Sequence, residues 1–136
     1  MSAGYSGTPL PRKLGIGEGA TFALVDAPDG AAALLEPLPE GAWQIPRSEA
    51  ADVVLAFATA RETLAGHLDR LAPAIFPDRS LWVAWPKRAS KVETDITEDV
   101  VREIALPLGL VDVKVAAIDE TWSGLKLVWR RELRGA

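Results

Sequence analysis

The stretch Val53-Val54-Leu55-Ala56-Phe57-Ala58 is apolar at every position. Two similar runs lie before and after it in the chain, Thr21-Phe22-Ala23-Leu24-Val25 and Leu81-Trp82-Val83-Ala84-Trp85. Strands that are apolar on both faces are typical of a parallel sheet with helices packed on each side. The three runs therefore predict the buried centre of an α/β sheet.

Helices are predicted between and around these runs. After the middle run, apolar residues recur at spacings of three and four, at Leu64, Leu68, Leu71 and Ile75. Asp95-Ile96-Thr97-Glu98 fits a capping box that opens a second helix. The buried stripe expected for that helix is Ile96, Val100, Ile104 and Leu108, with Gly109 as its end. One short helical turn is expected at residues 10–14 and a short helix at residues 31–35.

The end of the chain has a different pattern, with a period of two. Apolar residues alternate with other residues in two segments, at Val111, Val113, Val115 and Ala117 and again at Leu125, Leu127 and Trp129. This alternation indicates half-exposed strands, and Ser123-Gly124 is expected to form the turn between them. We predict an α/β three-layer sandwich with a mostly parallel sheet of five or six strands, ending in an antiparallel hairpin.

One element stays open at this stage. Residues 42–45 form a short strand candidate, but the link from Ile45 to Asp52 is too short for a crossover between adjacent parallel strands. Either this segment does not pair with the strand at Val53, or it is not a strand.

Length and composition narrow the possible classes of protein. A chain of 136 residues suits a single α/β domain over residues 1–136, with residues 1–19 as an extended N-terminal arm and turn. Hydrophobic residues make up 49% and charged residues 25%, which argues against intrinsic disorder. The net charge of −4 argues against a nucleic-acid partner, since such proteins usually carry a basic field.

Residue usage also excludes several kinds of site. The absence of cysteine excludes disulfides and thiolate chemistry, and the single histidine, His67, excludes a histidine-rich metal site. His67 lies beside Leu64 and Leu71 on the predicted helix, so we interpret it as a boundary residue. No apolar leader or membrane-spanning run is present. We therefore expect a cytoplasmic protein with no metal and no membrane partner.

The strand pattern with its final hairpin resembles a truncated class I methyltransferase, which has a Rossmann-like fold. That resemblance implies a glycine-rich turn after the first strand and an acidic residue near the end of the second, both serving adenosylmethionine. The first run is instead followed by Asp26-Ala27-Pro28-Asp29-Gly30, and the second position holds Gln44-Ile45-Pro46-Arg47. The glycines of Gly15-Ile16-Gly17-Glu18-Gly19 precede the strand, where a cofactor loop does not lie. We therefore expect no bound cofactor.

A second resemblance covers nearly the whole chain. Four segments are similar to a small bacterial family known only as a domain of unknown function: Gly4-Tyr5-Ser6-Gly7-Thr8-Pro9-Leu10, Leu81-Trp82-Val83-Ala84-Trp85-Pro86-Lys87, Thr94-Asp95-Ile96-Thr97-Glu98-Asp99-Val100-Val101-Arg102 and Asp119-Glu120-Thr121-Trp122-Ser123-Gly124-Leu125-Lys126. This resemblance implies a single cytoplasmic domain. It assigns no catalytic residue.

A candidate ligand site follows from the expected topology. Ligands of open α/β sheets usually bind outside the carboxyl ends of the strands, where Asp26, Thr59 and Arg61 are expected. The residues predicted to bind a small anionic or nucleotide-like ligand at this edge are Trp85, Lys87, Lys91, Asp119, Trp122 and Ser123. Aromatic faces can stack a ring, and cations can hold a phosphate or carboxylate. The competing interpretation is that the charges are solvated and the tryptophans belong to the core.

Two classes of function remain. The first is a non-catalytic Rossmann-like module that acts through a protein partner or as a homo-oligomer, with contacts near Trp43 or Trp129. The alternative is a binder of, or enzyme for, a small molecule at the carboxyl edge, with a divergent methyltransferase as a weaker form of it.

Overall fold

The computed structural model describes residues 8–135, which form one six-stranded sheet with helices on both faces. The strands are β1 (Thr21–Val25), β2 (Trp43–Gln44), β3 (Val53–Phe57), β4 (Ser80–Pro86), β5 (Leu110–Ala117) and β6 (Trp122–Trp129). The helices are α1 (Leu10–Lys13), α2 (Ala31–Leu34), α3 (Arg61–Ala74) and α4 (Glu98–Ala105). No helix in this part of the chain is both long enough and apolar enough to cross a membrane.

The strand order is β2-β1-β3-β4-β6-β5. The first four strands are parallel, whereas β6 is antiparallel to both β4 and β5. The predicted fold class, a mostly parallel α/β sheet with a terminal hairpin, is therefore confirmed. Residues 43 and 44 do form a strand, and β1 separates it from β3. The short link after Ile45 is possible because these two strands are not adjacent.

Two apolar layers enclose the sheet. On one face, α3 and α4 cover a cluster that includes Leu68, Leu71 and Val101. On the other face, the short helices and the loops beside them contribute Leu14 and Leu35, among others. These loops replace full helices because α1 and α2 are single turns. The expected three layers are present, and the second layer is thin.

The tightest link between the second layer and the sheet runs through Trp82. Its side chain is fully buried, and its indole Nε1 donates a hydrogen bond to the carbonyl of Leu14 at 2.9 Å. The segment after α1 is therefore held to β4 by a buried polar contact as well as by packing. Residues 1–7 of the predicted N-terminal arm lie outside the described residues.

The expected turn at Ser123-Gly124 is wrong, because both residues lie within β6. The chain reverses at residues 118–121, where the Asp119 carboxylate accepts hydrogen bonds from the N–H groups of Thr121 and Trp122, each at 2.8 Å. Gly124 is needed for close packing within the sheet and not for a turn. A Cβ at this position would lie 2.9 Å from Ile118 and 3.1 Å from Trp82.

The expected start of α4 also needs correction. Thr97 is the N-cap, and its hydroxyl accepts from the N–H of Val100 at 3.2 Å. Within the helix the most buried positions are Val101 and Ala105, while Val100, Ile104 and Leu108 are only partly buried. Ile96 is buried as expected.

The alternation expected in β5 is interrupted. The register shifts between Asp112 and Lys114, and Val113 is 55% exposed. Val115, which follows Lys114 after the register shift, is 52% exposed on the same edge strand. An irregularity and a lysine at a sheet edge both discourage pairing with another chain.

Candidate site at the carboxyl edge of the sheet

The order of the strands places a topological switch point between β1 and β3. From β1 the chain leads to β2 on one side and then to β3 on the other. The crevice beyond the carboxyl ends of such a strand pair is the usual ligand site of open α/β sheets. Asp26 follows β1 here, and Thr59 and Arg61 follow β3, so the predicted positions of these three residues are confirmed.

A side chain of the protein itself occupies this crevice. His67 on α3 is only 8% exposed, and its Nε2 lies 3.0 Å from the carbonyl oxygen of Phe57 and 3.1 Å from Oδ2 of Asp26. Both neighbours are acceptors, so Nε2 carries a proton and donates to them. Asp26 reaches the imidazole from a left-handed backbone conformation, with φ at 52°. The histidine thus bridges the ends of β1 and β3.

The amino end of α3 is also satisfied from within the chain. The N–H of Arg61 donates to Oδ1 of Asp95 at 2.7 Å, and the hydroxyl of Thr94 donates to the carbonyl of Thr59 at 2.6 Å. A helix amino end attracts anions through its free N–H groups and its dipole. A carboxylate from the loop before α4 already fills that position.

The two predicted aromatic residues do not face each other. Trp85 is buried in the cluster under α3 and α4, with 7% of its surface exposed. Trp122 lies on the opposite face of the sheet, where its ring packs edge-on against Phe57 with centroids 5.0 Å apart. The sheet separates the two rings, so they cannot stack on one ligand together.

The remaining predicted residues lie near the β5–β6 turn or in the loop after β4. The N–H of Lys87 donates to the carbonyl of Thr121 at 2.7 Å, which ties that loop to the turn containing Asp119. Ser123 pairs with neighbouring strands on both sides. Lys91 is exposed, with φ at 64°. The predicted binding roles of Trp85, Lys87, Lys91, Asp119, Trp122 and Ser123 stay predictions.

Charged side chains outside the crevice pair locally. Arg102 on α4 contacts Asp112 at 3.0 Å and also Glu98, and the hydrogen bonds to these carboxylates raise the pKa of Arg102 above its ordinary value. Near β2, the hydrogen bond from Arg47 lowers the pKa of the Glu49 carboxyl. Both groups are structural ion pairs at the surface.

A cavity of about 430 Å³ lies at the opposite, amino edge of the sheet. The segments before β1 and β2 line it, including Gly17 and Leu38, and Arg12 and Glu18 supply its charged groups. The glycine-rich segment before β1 thus lines a cavity away from the switch point. Its position supports the interpretation that it is a turn that leads into the strand.

Three solved structures have a fold similar to that of this chain. A SAM-dependent methyltransferase from Aquifex aeolicus is 16% identical, with 85% of each chain covered and a TM-score of 0.59. The magnesium protoporphyrin IX methyltransferase ChlM from Synechocystis, solved with bound SAM, is 11% identical, with 89% of this chain and 74% of that chain covered and a TM-score of 0.53. TrmN from Thermus thermophilus is 11% identical with a TM-score of 0.53, and 89% of this chain covers 47% of its length.

The chain has a methyltransferase-like, Rossmann-like fold. The predicted resemblance to this fold is therefore confirmed. No protein-family model and no curated protein matches the sequence. Membership of a small bacterial family of unknown function stays a prediction.

The residues present do not form a cradle for adenosylmethionine. The loop after β1 contains Pro28, which has no N–H, and Gly30 as its only glycine. The imidazole of His67 bridges the strand ends where the crevice would open. The first N–H of α3 is held by Asp95. The fold is similar to that of the methyltransferases, but at the switch point the imidazole of His67 and the N–H of Arg61 form hydrogen bonds within the chain.

The contact between His67 and Asp26 is not predicted from the sequence. The position of His67, three residues after Leu64 and four before Leu71, does indicate the buried face of the helix. Its partner could not be inferred, because Asp26 follows a different strand and no local pattern links the two.

Proposed function

We propose that the protein is a non-catalytic Rossmann-like module that acts through a protein partner or by self-association. The observation that carries this proposal is the contact of His67 with Asp26 and with the carbonyl of Phe57. A ligand in the crevice would have to displace the buried side chain of His67 and leave the carbonyl of Phe57, a buried residue, without its donor. Unpaired buried acceptors cost free energy, so the crevice is built for stability.

Exposed apolar surface on the edge strand β2 supports the same proposal. Trp43 on β2 is 58% exposed. Tryptophan is enriched at protein–protein interfaces, so its exposure here supports a contact with another protein. Trp129, the other predicted contact, is half-buried. Its indole donates to the carbonyl of Ala72 at 2.8 Å, and its ring packs against Phe76. The exposure of Trp43 and the internal contacts of Trp129 favour β2 as the proposed contact surface.

The test is a titration with adenosylmethionine and its demethylated product, followed by protein NMR. We expect no shifts at residues around Asp26 and His67 up to millimolar ligand. A methyltransferase of the same fold serves as the positive control for both ligands. Saturable shifts at these two residues would overturn the non-catalytic proposal.

The second candidate is a binder of, or enzyme for, a small anionic or nucleotide-like ligand, including a divergent methyltransferase. The fold favours it, since the similar Synechocystis enzyme was solved with bound SAM. So does the position of Lys87 and Lys91 in the loop after β4, at the carboxyl edge.

A thermal-shift screen of nucleotides, dinucleotides, acyl-coenzyme A species and small carboxylates separates the two candidates. A ligand at about one hundred times its Kd stabilises a protein by roughly 2.7 kcal/mol. Stabilisation that disappears in Lys87→Ala would establish the second candidate. Lys13→Ala, outside this edge, is the matched control and should leave such stabilisation unchanged.

A further inference from the structure

We infer that β2 is a self-association edge, at which two copies of this chain pair antiparallel around Gln44 to join their sheets. This inference rests on the proposed function and names the partner, a second copy. Three features of the segment from Glu40 to Arg47 support it: its main-chain groups, its apolar side chains and its terminal charges.

The main chain of β2 offers one self-complementary pair of groups. The N–H groups of Trp43 and Ile45 donate to the carbonyls of Ala20 and Phe22 on β1. Because these directions alternate along a strand, the N–H and C=O of Gln44 point to the open side of the sheet. In an antiparallel pair, two residues that face each other exchange both hydrogen bonds. Two copies of Gln44 can do so across a two-fold axis.

The flanking positions limit the pairing to this residue. The N–H of Ala42 is used within the chain, donating to the carbonyl of Pro39 at 3.0 Å. Pro46 has no N–H. The edge therefore provides a short, centred contact with one register, unlike a long edge that could pair in several registers.

The side chains fit the same register. With Gln44 opposite its copy, Trp43 lies opposite Ile45 of the second copy, and Ile45 lies opposite the second Trp43. Both residues lie on one face of the sheet because strand side chains alternate. Trp43 is exposed and Ile45 is only partly buried. Aromatic and β-branched residues form favourable cross-strand pairs, and a two-fold axis makes this pair twice.

The charges at the two ends are complementary as well. Antiparallel pairing brings Glu40, before one strand, towards Arg47, after the other. Both side chains are exposed, and Arg47 already hydrogen-bonds Glu49 within its own chain. The opposite edge of the sheet, β5, is interrupted by the irregularity between Asp112 and Lys114, which discourages pairing there.

Sedimentation equilibrium on the whole chain tests this inference. At high protein concentration, we expect twice the mass of one chain. Gln44→Pro removes the outward N–H together with the glutamine side chain. An edge strand tolerates proline, and we expect this substitution to raise the dimer dissociation constant at least tenfold. Trp43→Ala should do the same, whereas Val113→Ala on the other edge should leave the constant unchanged. Circular dichroism shows whether each variant stays folded.

A charge exchange tests the register directly. Glu40→Arg and Arg47→Glu should each weaken the dimer, and the two substitutions together should restore it. A wild-type chain that stays monomeric up to millimolar concentration would overturn the inference. So would a dimer that folded Gln44→Pro and Trp43→Ala leave intact. Neither result bears on the ligand experiments. The non-catalytic proposal is overturned by saturable shifts at Asp26 and His67, or by ligand stabilisation that depends on Lys87.

Discussion

Replacing His67 with alanine tests the bridge that closes the switch point. The substitution removes the donor that lies 3.0 Å from the Phe57 carbonyl and 3.1 Å from the Asp26 carboxylate. A buried acceptor that loses its donor costs about 1–3 kcal/mol, and the space left by the ring adds to this cost. Asp26 is largely exposed and can turn to water. We therefore expect a loss of about 2–3 kcal/mol in the free energy of unfolding.

The assay is urea unfolding followed by tryptophan fluorescence, together with a thermal melt. For a domain of this size, each kcal/mol corresponds to a shift of roughly 3–4 °C in Tm, so His67→Ala should melt roughly 6–12 °C lower than the wild type. His67→Gln keeps an N–H at similar reach and should lose less than half as much. Thr63→Ala, exposed on the same helix, should change stability by less than about 0.5 kcal/mol.

Two results would refute this reasoning. His67→Ala could prove as stable as the wild type, which would mean that the bridge contributes nothing. His67→Gln could prove as destabilised as His67→Ala, which would mean that the ring's packing matters and its donated hydrogen bond does not.

Three further substitutions test the fold around the site. Gly109→Ala should lose more than about 2 kcal/mol on chemical unfolding, because φ is 104° there and the new Cβ would lie 2.7 Å from Trp129; a loss below half that value would contradict the packing. Asp95→Ala should lose about 0.5–2 kcal/mol, since it uncaps the N–H of Arg61, and Asp95→Asn should recover most of it in the same assay. Trp82→Phe should lower Tm and speed amide exchange near α1, and unchanged exchange there would show that its indole N–H does not hold the segment.

Much of the fold could be predicted because its signals are local. Apolar runs such as the one at Val53 are strands because each of their faces must be buried, and helical spacing from Leu64 to Ile75 indicates which face of α3 packs inward. The sequence predictions were wrong where one residue type can have two structural roles. Gly124 was expected in a turn but provides room for Trp82 and Ile118. Asp95 was expected to cap α4 but caps α3.

The candidate site could be predicted only in its location. The carboxyl edge and the position of Asp26 follow from strand order and from the end of an apolar run. Which groups meet there depends on which face of the sheet each strand presents. Trp85 and Trp122 were expected to converge, but their strands direct them to opposite faces.

The sequence by itself determined the class of fold, the absence of cysteine chemistry and the strands that lie at the buried centre, because these follow from composition and from periodicity along the chain. Only the tertiary structure decided that His67 fills the switch point, that Asp95 caps a helix beginning 34 residues before it, and that Trp43 lies on an open edge. Such contacts join residues that are distant along the chain. They arise when the sheet forms and brings strand ends together, so no local pattern of residues encodes them.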